Sequence, residues 1–185
     1  MTEFAIHTLD SAPDASKDIL RAAQKKFGFV PNLLGELAAA PAALNAYITL
    51  SDLLSQTSFT PVEQQLILAT VSIANNCEYC VAAHSAGLKM AGLEDDALAS
   101  LRSGRPLQDQ KLEALRAFVT AVVQSRGWVK QPELQRFLSA GYTREQVLET
   151  LVGISMKTLS NYTNHIADTP LDAKFESFAW EPAIA

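Results

Sequence analysis

Apolar residues recur along this chain at steps of three and four, the spacing of amphipathic helices, and no stretch alternates long enough to suggest a sheet. In ASKDILRAAQKKF, residues 15–27, Ile19, Leu20, Ala23 and Phe27 share one side. The following GFVPNLLGELAAAPAALNAYITLSDLL reads as a short helical turn, a break at Pro41 and a longer helix to about Leu54. Thr60-Pro61 supplies a cap residue and a proline at the first helical position. The helix it opens, ending near Asn75, is apolar nearly all round, which predicts burial. Asn75 and Asn76 interrupt it, and a new helix runs to about Met90. LEDDALASLRSG forms another, ended by Gly104, and two more cover 107–126 and 131–140. Thr143 with Gln146 has the pattern of a capping box, opening a long, largely apolar last helix over 144–167. The prediction is an all-α bundle: one domain over 1–185, with its core at about 30–168, an N-terminal helix and a C-terminal tail.

Composition narrows the function more than the fold. The chain has 185 residues, 48% of them hydrophobic, and a formal net charge of −5; its mean hydropathy is +0.06. A nucleic-acid or anionic-membrane partner needs a basic face, and this sequence has no such cluster. Its most apolar run, LILATVSIA at 66–74, is far too short to span a bilayer. The N-terminus has no basic segment followed by an apolar one, so the expected location is the cytoplasm. Several helices are apolar on most sides, more than one small bundle hides, which predicts a homo-oligomer.

The chemistry concentrates in ANNCEYCVAAHSAG, residues 74–87, which holds the two cysteines and one of the three histidines. On a helix, Cys77, Cys80 and His84 fall at i, i+3 and i+7, one face. A free thiol with a pKa of about 8.5 is only a few per cent thiolate at neutral pH, and lowering it to about 6 raises that fraction roughly 30-fold. A helix N-terminus and a neighbouring imidazolium both favour the anion. His84 is the i+4 neighbour of Cys80, whereas Cys77 lies nearer the helix N-terminus. Helical i,i+3 Cβ atoms are roughly 5–6 Å apart, and a disulfide wants about 3.5–4.5 Å. A bridge therefore requires Cys77 to leave helical dihedrals, which Asn75-Asn76 permits. Three readings follow: cysteines filling a core, a zinc site with C-x2-C-x3-H ligands lacking an evident fourth, and thiol-disulfide chemistry. The shared face favours the third, without a metal or other bound cofactor.

This segment, with TPVEQQLILATVSIA before it, resembles the alkylhydroperoxidase AhpD-like branch of the carboxymuconolactone decarboxylase family. The resemblance extends to GFVPNLLGELAAAPAALNAY and TLSNYTNHIADTPLD, and so to most of the chain. It implies an AhpD-like helical bundle assembled as trimers or hexamers, and peroxide reduction in antioxidant defence. It further implies that Cys80 attacks the peroxide, Cys77 resolves the sulfenic acid, His84 acts in proton transfer, and an external dithiol such as a lipoyl group regenerates the pair. The family pattern is E-x11-C-x2-C-x3-H, and here the glutamate position is Gln65, which carries no proton. Glu63 lies two residues earlier, nearly opposite on a helix. His165, in a polar strip with Thr158, Asn161 and Tyr162 on the last helix, is a second candidate for the relay; the other reading of that strip is a hydrogen-bond network between buried helices. Tyr79 reads as core or pocket lining, His7 as solvated, and Trp128 and Trp180 as packing or interface residues. The alternatives to a peroxidase are a non-catalytic redox-sensing or binding protein and a Cys/His metal site.

Overall fold

A computed structural model describes residues 4–182. Among these residues nine α-helices follow in order: α1 (Asp14–Phe27), α2 (Asn32–Leu37), α3 (Pro41–Ser55), α4 (Pro61–Ala74), α5 (Glu78–Ala91), α6 (Asp95–Arg102), α7 (Gln110–Ser125), α8 (Gln131–Ser139) and α9 (Arg144–Ala167). No strand occurs among the described residues, as the hydrophobic periodicity predicts. The helix starts have local causes. Thr60 and Thr143 each accept a hydrogen bond from the backbone of the third helical residue, while Glu63 and Gln146 reach back to the cap, so both boxes are complete. One element has no forerunner in the pattern: a 3₁₀ turn at Ala173–Phe178, set by tertiary bonds rather than by periodicity.

Helix α4 is the axis of the bundle and packs against α3, α5, α7 and α9. Its all-round apolarity follows from that position: Leu66, Ile67 and Val71 are fully buried. On the α7 and α8 side the core is filled by Leu115, Phe118, Val119 and Phe137, with Phe137 stacked between Phe118 and Tyr142 at centroid distances of 4.4 Å. A second cluster, formed by Leu20 of α1, Leu33 and Leu34 of α2 and Leu44 of α3, closes over Cys77, Tyr79 and Cys80.

Close approach of α9 to α4 depends on Gly153. A Cβ there would stand 2.7 Å from Ile67 Cγ2, so any larger residue would push the helices apart. One turn further on, α9 carries its polar inward residues against the start of α5, which is how the bundle brings distant segments to the two cysteines.

Candidate active site

Residues 75–77 form the corner between α4 and α5. Asn76 takes the left-handed conformation (φ 55°), which Asn tolerates better than most residues. The Cys77 amide turns back to donate to Ser72 O at 2.9 Å. With φ −91° and ψ 93°, Cys77 is the non-helical N-cap of α5, and Cys80 lies in its first turn. The pair is 3.6 Å apart, and both thiols are free. Each cysteine is 1% exposed. Cys77 is therefore no more open to solvent than Cys80, and exchange with a reductant requires the residues of α2 and α3 above it to move.

The face opposite the sulfurs comes from α9. Lys157 Nζ donates to Cys80 Sγ at 3.0 Å. Asn164 Nδ2 donates to the same sulfur at 3.1 Å and to Cys77 Sγ at 3.5 Å, and Ser160 Oγ stands 4.0 Å from Cys80 Sγ. Asn161 locks the corner in place, accepting from Asn75 Nδ2 at 3.0 Å and donating to Ser72 Oγ at 3.4 Å. Lys157, Ser160, Asn161 and Asn164 follow i, i+3, i+4, i+7 and form one helix face.

This face corrects the strip drawn from sequence. Of Thr158, Asn161, Tyr162 and His165, only Asn161 is fully buried. Tyr162 is 54% exposed, and His165 is exposed with its ring beside that of Tyr162. His165 points away from the sulfurs, so the relay assigned to it has no contact to act through. Glu63 is buried but committed elsewhere: it accepts from Thr60 N and Oγ1, from Tyr142 OH and from Lys111 Nζ.

A fully buried ammonium without a counter-charge would cost several kcal/mol. Lys157 is 0% exposed, and no carboxylate among the described residues forms a salt bridge with it. Its partner is the Cys80 thiolate. Burial works to raise the Cys80 pKa, but the hydrogen bond from the Cys77 thiol and the charge and hydrogen bond of Lys157 overcome it and bring the group down to about 5. Cys77 shifts the opposite way, because its S–H is held on Cys80, it is buried and it faces the thiolate's charge. For Lys157, burial favours the neutral amine, while the Cys80 charge outweighs it and keeps the ammonium. The pair thus resolves the competition between helix dipole and neighbouring cation: the cation wins, and Cys80 is the more acidic thiol.

His84 plays a different part from the activating imidazolium expected of it. Its Nδ1 is 3.0 Å from Gln65 Oε1. Burial first, and the Lys157 charge second, hold its pKa well below the ordinary imidazole range, so the ring is neutral. With Oε1 as the acceptor, Nδ1 carries the proton and Nε2 keeps a lone pair, an assignment made from the hydrogen-bond network. Gln65 can reach the ring because residue 87 is glycine: a methyl group there would collide with Gln65 Oε1. Among the described residues no three His, Cys, Asp or Glu side chains are grouped to hold a metal ion, and Cys77, Cys80 and His84 do not converge as ligands.

Tyr79, between the cysteines, is buried and donates to Asp172 at 2.5 Å. The Asp172 carboxylate also accepts from Asn32 N at 3.2 Å. Arg102 holds Phe178 O and Ala179 O, and Trp180 Nε1 donates to Arg102 O at 2.9 Å. The tail is thereby strapped beside the site, and Trp180 is a packing residue. Trp128, in contrast, is 86% exposed, and His7 is half-buried, with Nδ1 bonded to Ser11 O at 3.0 Å. A groove of about 1120 Å³ is lined by residues 107–140, including Trp128 and Arg136, and by none of the cysteine-site residues.

Residues 36–106 match the carboxymuconolactone decarboxylase family. The chain has an AhpD-like fold. An AhpD-core, peroxidase-related protein from Ralstonia eutropha JMP134 is 23% identical with a TM-score of 0.81, over 94% of this chain and 93% of that one. A peroxidase-related protein from Silicibacter sp. TM1040 is 20% identical with a TM-score of 0.78, over 94% and 95%. A debrominase in complex with 2,3,4-tribromopyrrole has the same fold, at 18% identity and a TM-score of 0.78, over 96% of each chain. No curated protein matches this AhpD-like chain in sequence. No described helix is long and apolar enough to cross a membrane.

Proposed function

We propose that this AhpD-like protein is a thiol-dependent peroxidase in which Cys80 reduces a peroxide and Cys77 resolves the product. The observation that carries the reading is the Cys80 sulfur, held by Lys157 at 3.0 Å and Asn164 at 3.1 Å, with a free Cys77 thiol 3.6 Å away. Cys80 thiolate attacks the terminal oxygen of ROOH; the S–O bond forms, the O–O bond breaks, and RO⁻ leaves to become ROH. The Cys77 sulfur then attacks the Cys80 sulfenic acid, forming the S–S bond and releasing water. An external dithiol, such as a lipoyl group, returns both cysteines to thiols and is itself oxidised to a disulfide. Because both sulfurs are buried, a small dithiol suits the site better than a globular reductant. His84 contributes the Nε2 lone pair as a proton acceptor along this path, with Gln65 fixing its ring. The resting assembly in this reading is a homo-oligomer, trimer or hexamer, supported by the exposed apolar residues Leu148, Leu151, Tyr162 and Ile166 along α9.

The test is peroxide consumption supported by dihydrolipoamide. Cys80→Ser abolishes turnover and sulfenic acid formation, whereas Cys77→Ser forms the sulfenic acid and then stalls. A wild-type protein that forms no sulfenic acid contradicts the reading. One that oxidises once and is not regenerated by dithiols is a redox sensor rather than an enzyme.

A further inference from the structure

We infer that Lys157 is the acid of the peroxide step: the ammonium that holds the Cys80 thiolate also delivers the proton to the departing oxygen. The inference rests on the peroxidase reading and supplies what that reading leaves open, the source of this proton in a chain with glutamine at position 65.

The alternatives near the sulfur are few, and each fails on geometry or chemistry. Gln65 has no acidic proton, and the neutral His84 ring has its Nδ1–H on Gln65 Oε1 at 3.0 Å, which leaves Nε2 to accept rather than donate. Ser160 has its hydroxyl on Met156 O at 3.2 Å. Asn164 Nδ2 is an amide. Tyr47 of α3 packs with the same cluster, but burial raises its pKa and makes it a poorer acid. The Cys77 thiol carries a proton, yet its sulfur must stay unspent for the second step. Lys157 remains, with three N–H groups, only one of which is needed at Cys80 Sγ 3.0 Å away.

The timing follows from the same contact. Lys157 stays protonated because a thiolate faces it; burial alone favours the free amine. When Cys80 S⁻ becomes S–OH, the sulfur loses its charge and the ammonium loses its partner, at the moment RO⁻ appears beside it. One proton passes from Nζ to RO⁻, giving ROH and a neutral amine. That amine takes the Cys77 proton, the Cys77 sulfur attacks Cys80, and the hydroxide expelled from S–OH recovers the proton as water. The disulfide state holds a neutral Lys157. When a dithiol reduces the bridge, the proton of the re-formed Cys80 thiol moves to Nζ and restores the ion pair.

The experiment separates charge from proton donation. Cys80 is reacted with iodoacetamide, which needs a thiolate but no acid, and with peroxides whose leaving alcohols or acids span a wide acidity range. In the wild type the oxidation rate changes little with leaving-group acidity. Lys157→Arg keeps a cation that does not release its proton; alkylation stays within about threefold, while alkyl peroxide cleavage falls about 100-fold, the size of a lost general acid. Peracids, whose leaving groups need no proton, are largely spared. Lys157→Met loses alkylation as well. A wild type with a steep leaving-group dependence, or a Lys157→Arg protein that cleaves alkyl peroxides at the wild-type rate, overturns the inference while leaving the peroxidase reading intact. The wild-type series decides the matter alone if Arg does not fold at this position. Absence of any Cys80 oxidation overturns the peroxidase reading, and this inference with it.

Discussion

Glu63 and Lys157 are both buried charges in this bundle, and they are held in opposite ways. Glu63, 4% exposed at the start of α4, accepts from four donors that never change: the amide and hydroxyl of Thr60, Tyr142 OH and Lys111 Nζ. Lys157, 0% exposed in the middle of α9, faces a thiolate that oxidation removes. A charge satisfied by fixed partners builds structure, because nothing in a reaction can release it. A charge satisfied by a reacting atom is coupled to the reaction, and its own protonation changes when the atom does. The contrast is between a helix cap and a catalytic group, although both are charges inside apolar walls.

The largest effect that would break this comparison is at Lys157. Replacing it with Met removes the only cation on the sulfur, so the Cys80 pKa climbs from about 5 toward or beyond that of a free thiol. Alkylation at neutral pH should fall on the order of 30- to 100-fold, with no comparable change if the ion pair were incidental. At Glu63 the loss should appear in stability instead. Glu63→Ala strips a capping box and leaves Tyr142 OH without its acceptor, a destabilisation of about 2–4 kcal/mol in a denaturant titration, while the Cys80 alkylation profile stays where it was. A Glu63 variant with an altered thiol profile would erase the distinction.

The pH windows sharpen it further. Cys80 has its pKa depressed by folding, so its stabilisation is complete above the unfolded value of 9.0 and is lost as pH falls through about 5. Lys157 has its pKa raised, so its share is complete below the unfolded value of 10.5 and disappears only as pH climbs above it. Glu63 also has its pKa depressed, its burial more than offset by its hydrogen bonds, but its window begins only below the unfolded value of 4.5. Hence the stability difference between wild type and Cys80→Ser should shrink as pH is lowered from 9 to 5, and that between wild type and Glu63→Gln should hold over this range and shrink only in stronger acid. Smaller effects belong to the neutral supports. Asn164→Leu, which removes one hydrogen bond to the thiolate, should raise the Cys80 midpoint by about one pK unit. Gln65→Leu frees the His84 ring; turnover should drop by about tenfold or less with alkylation unchanged.

How far these regions can be read from sequence differs for physical reasons. The Glu63 cap is local: Thr-Pro-x-Glu specifies it within four residues. The helices, the corner at Asn75-Asn76 and the non-helical Cys77 are local too, and the structure has them at or within a few residues of where the pattern puts them. The Lys157 pair is not local. It joins residues 77 apart, and a lysine within a helix ordinarily reads as solvated. Two signals nevertheless point to it. Between Glu149 and Asp168 it is the sole Lys, Arg, Asp or Glu, and Ser160, Asn161 and Asn164 follow at helical spacing. A strip phased on Thr158 is rotated from this face by one residue, about 100° on a helix, so it takes in Thr158 and His165 in place of Lys157 and Asn164. The 3₁₀ turn was not legible because its bounds come from Tyr79, Asn32 and Arg102, far away in the chain.

The central claim is that Cys80 exists as a thiolate paired with Lys157, and a pH titration of thiolate absorbance in the reduced wild-type protein tests it most directly. The account predicts one step with a midpoint near 5, absent in Cys80→Ser and moved upward by several units in Lys157→Met. A first step at the pH of an ordinary thiol, or one that Lys157→Met leaves in place, would contradict it.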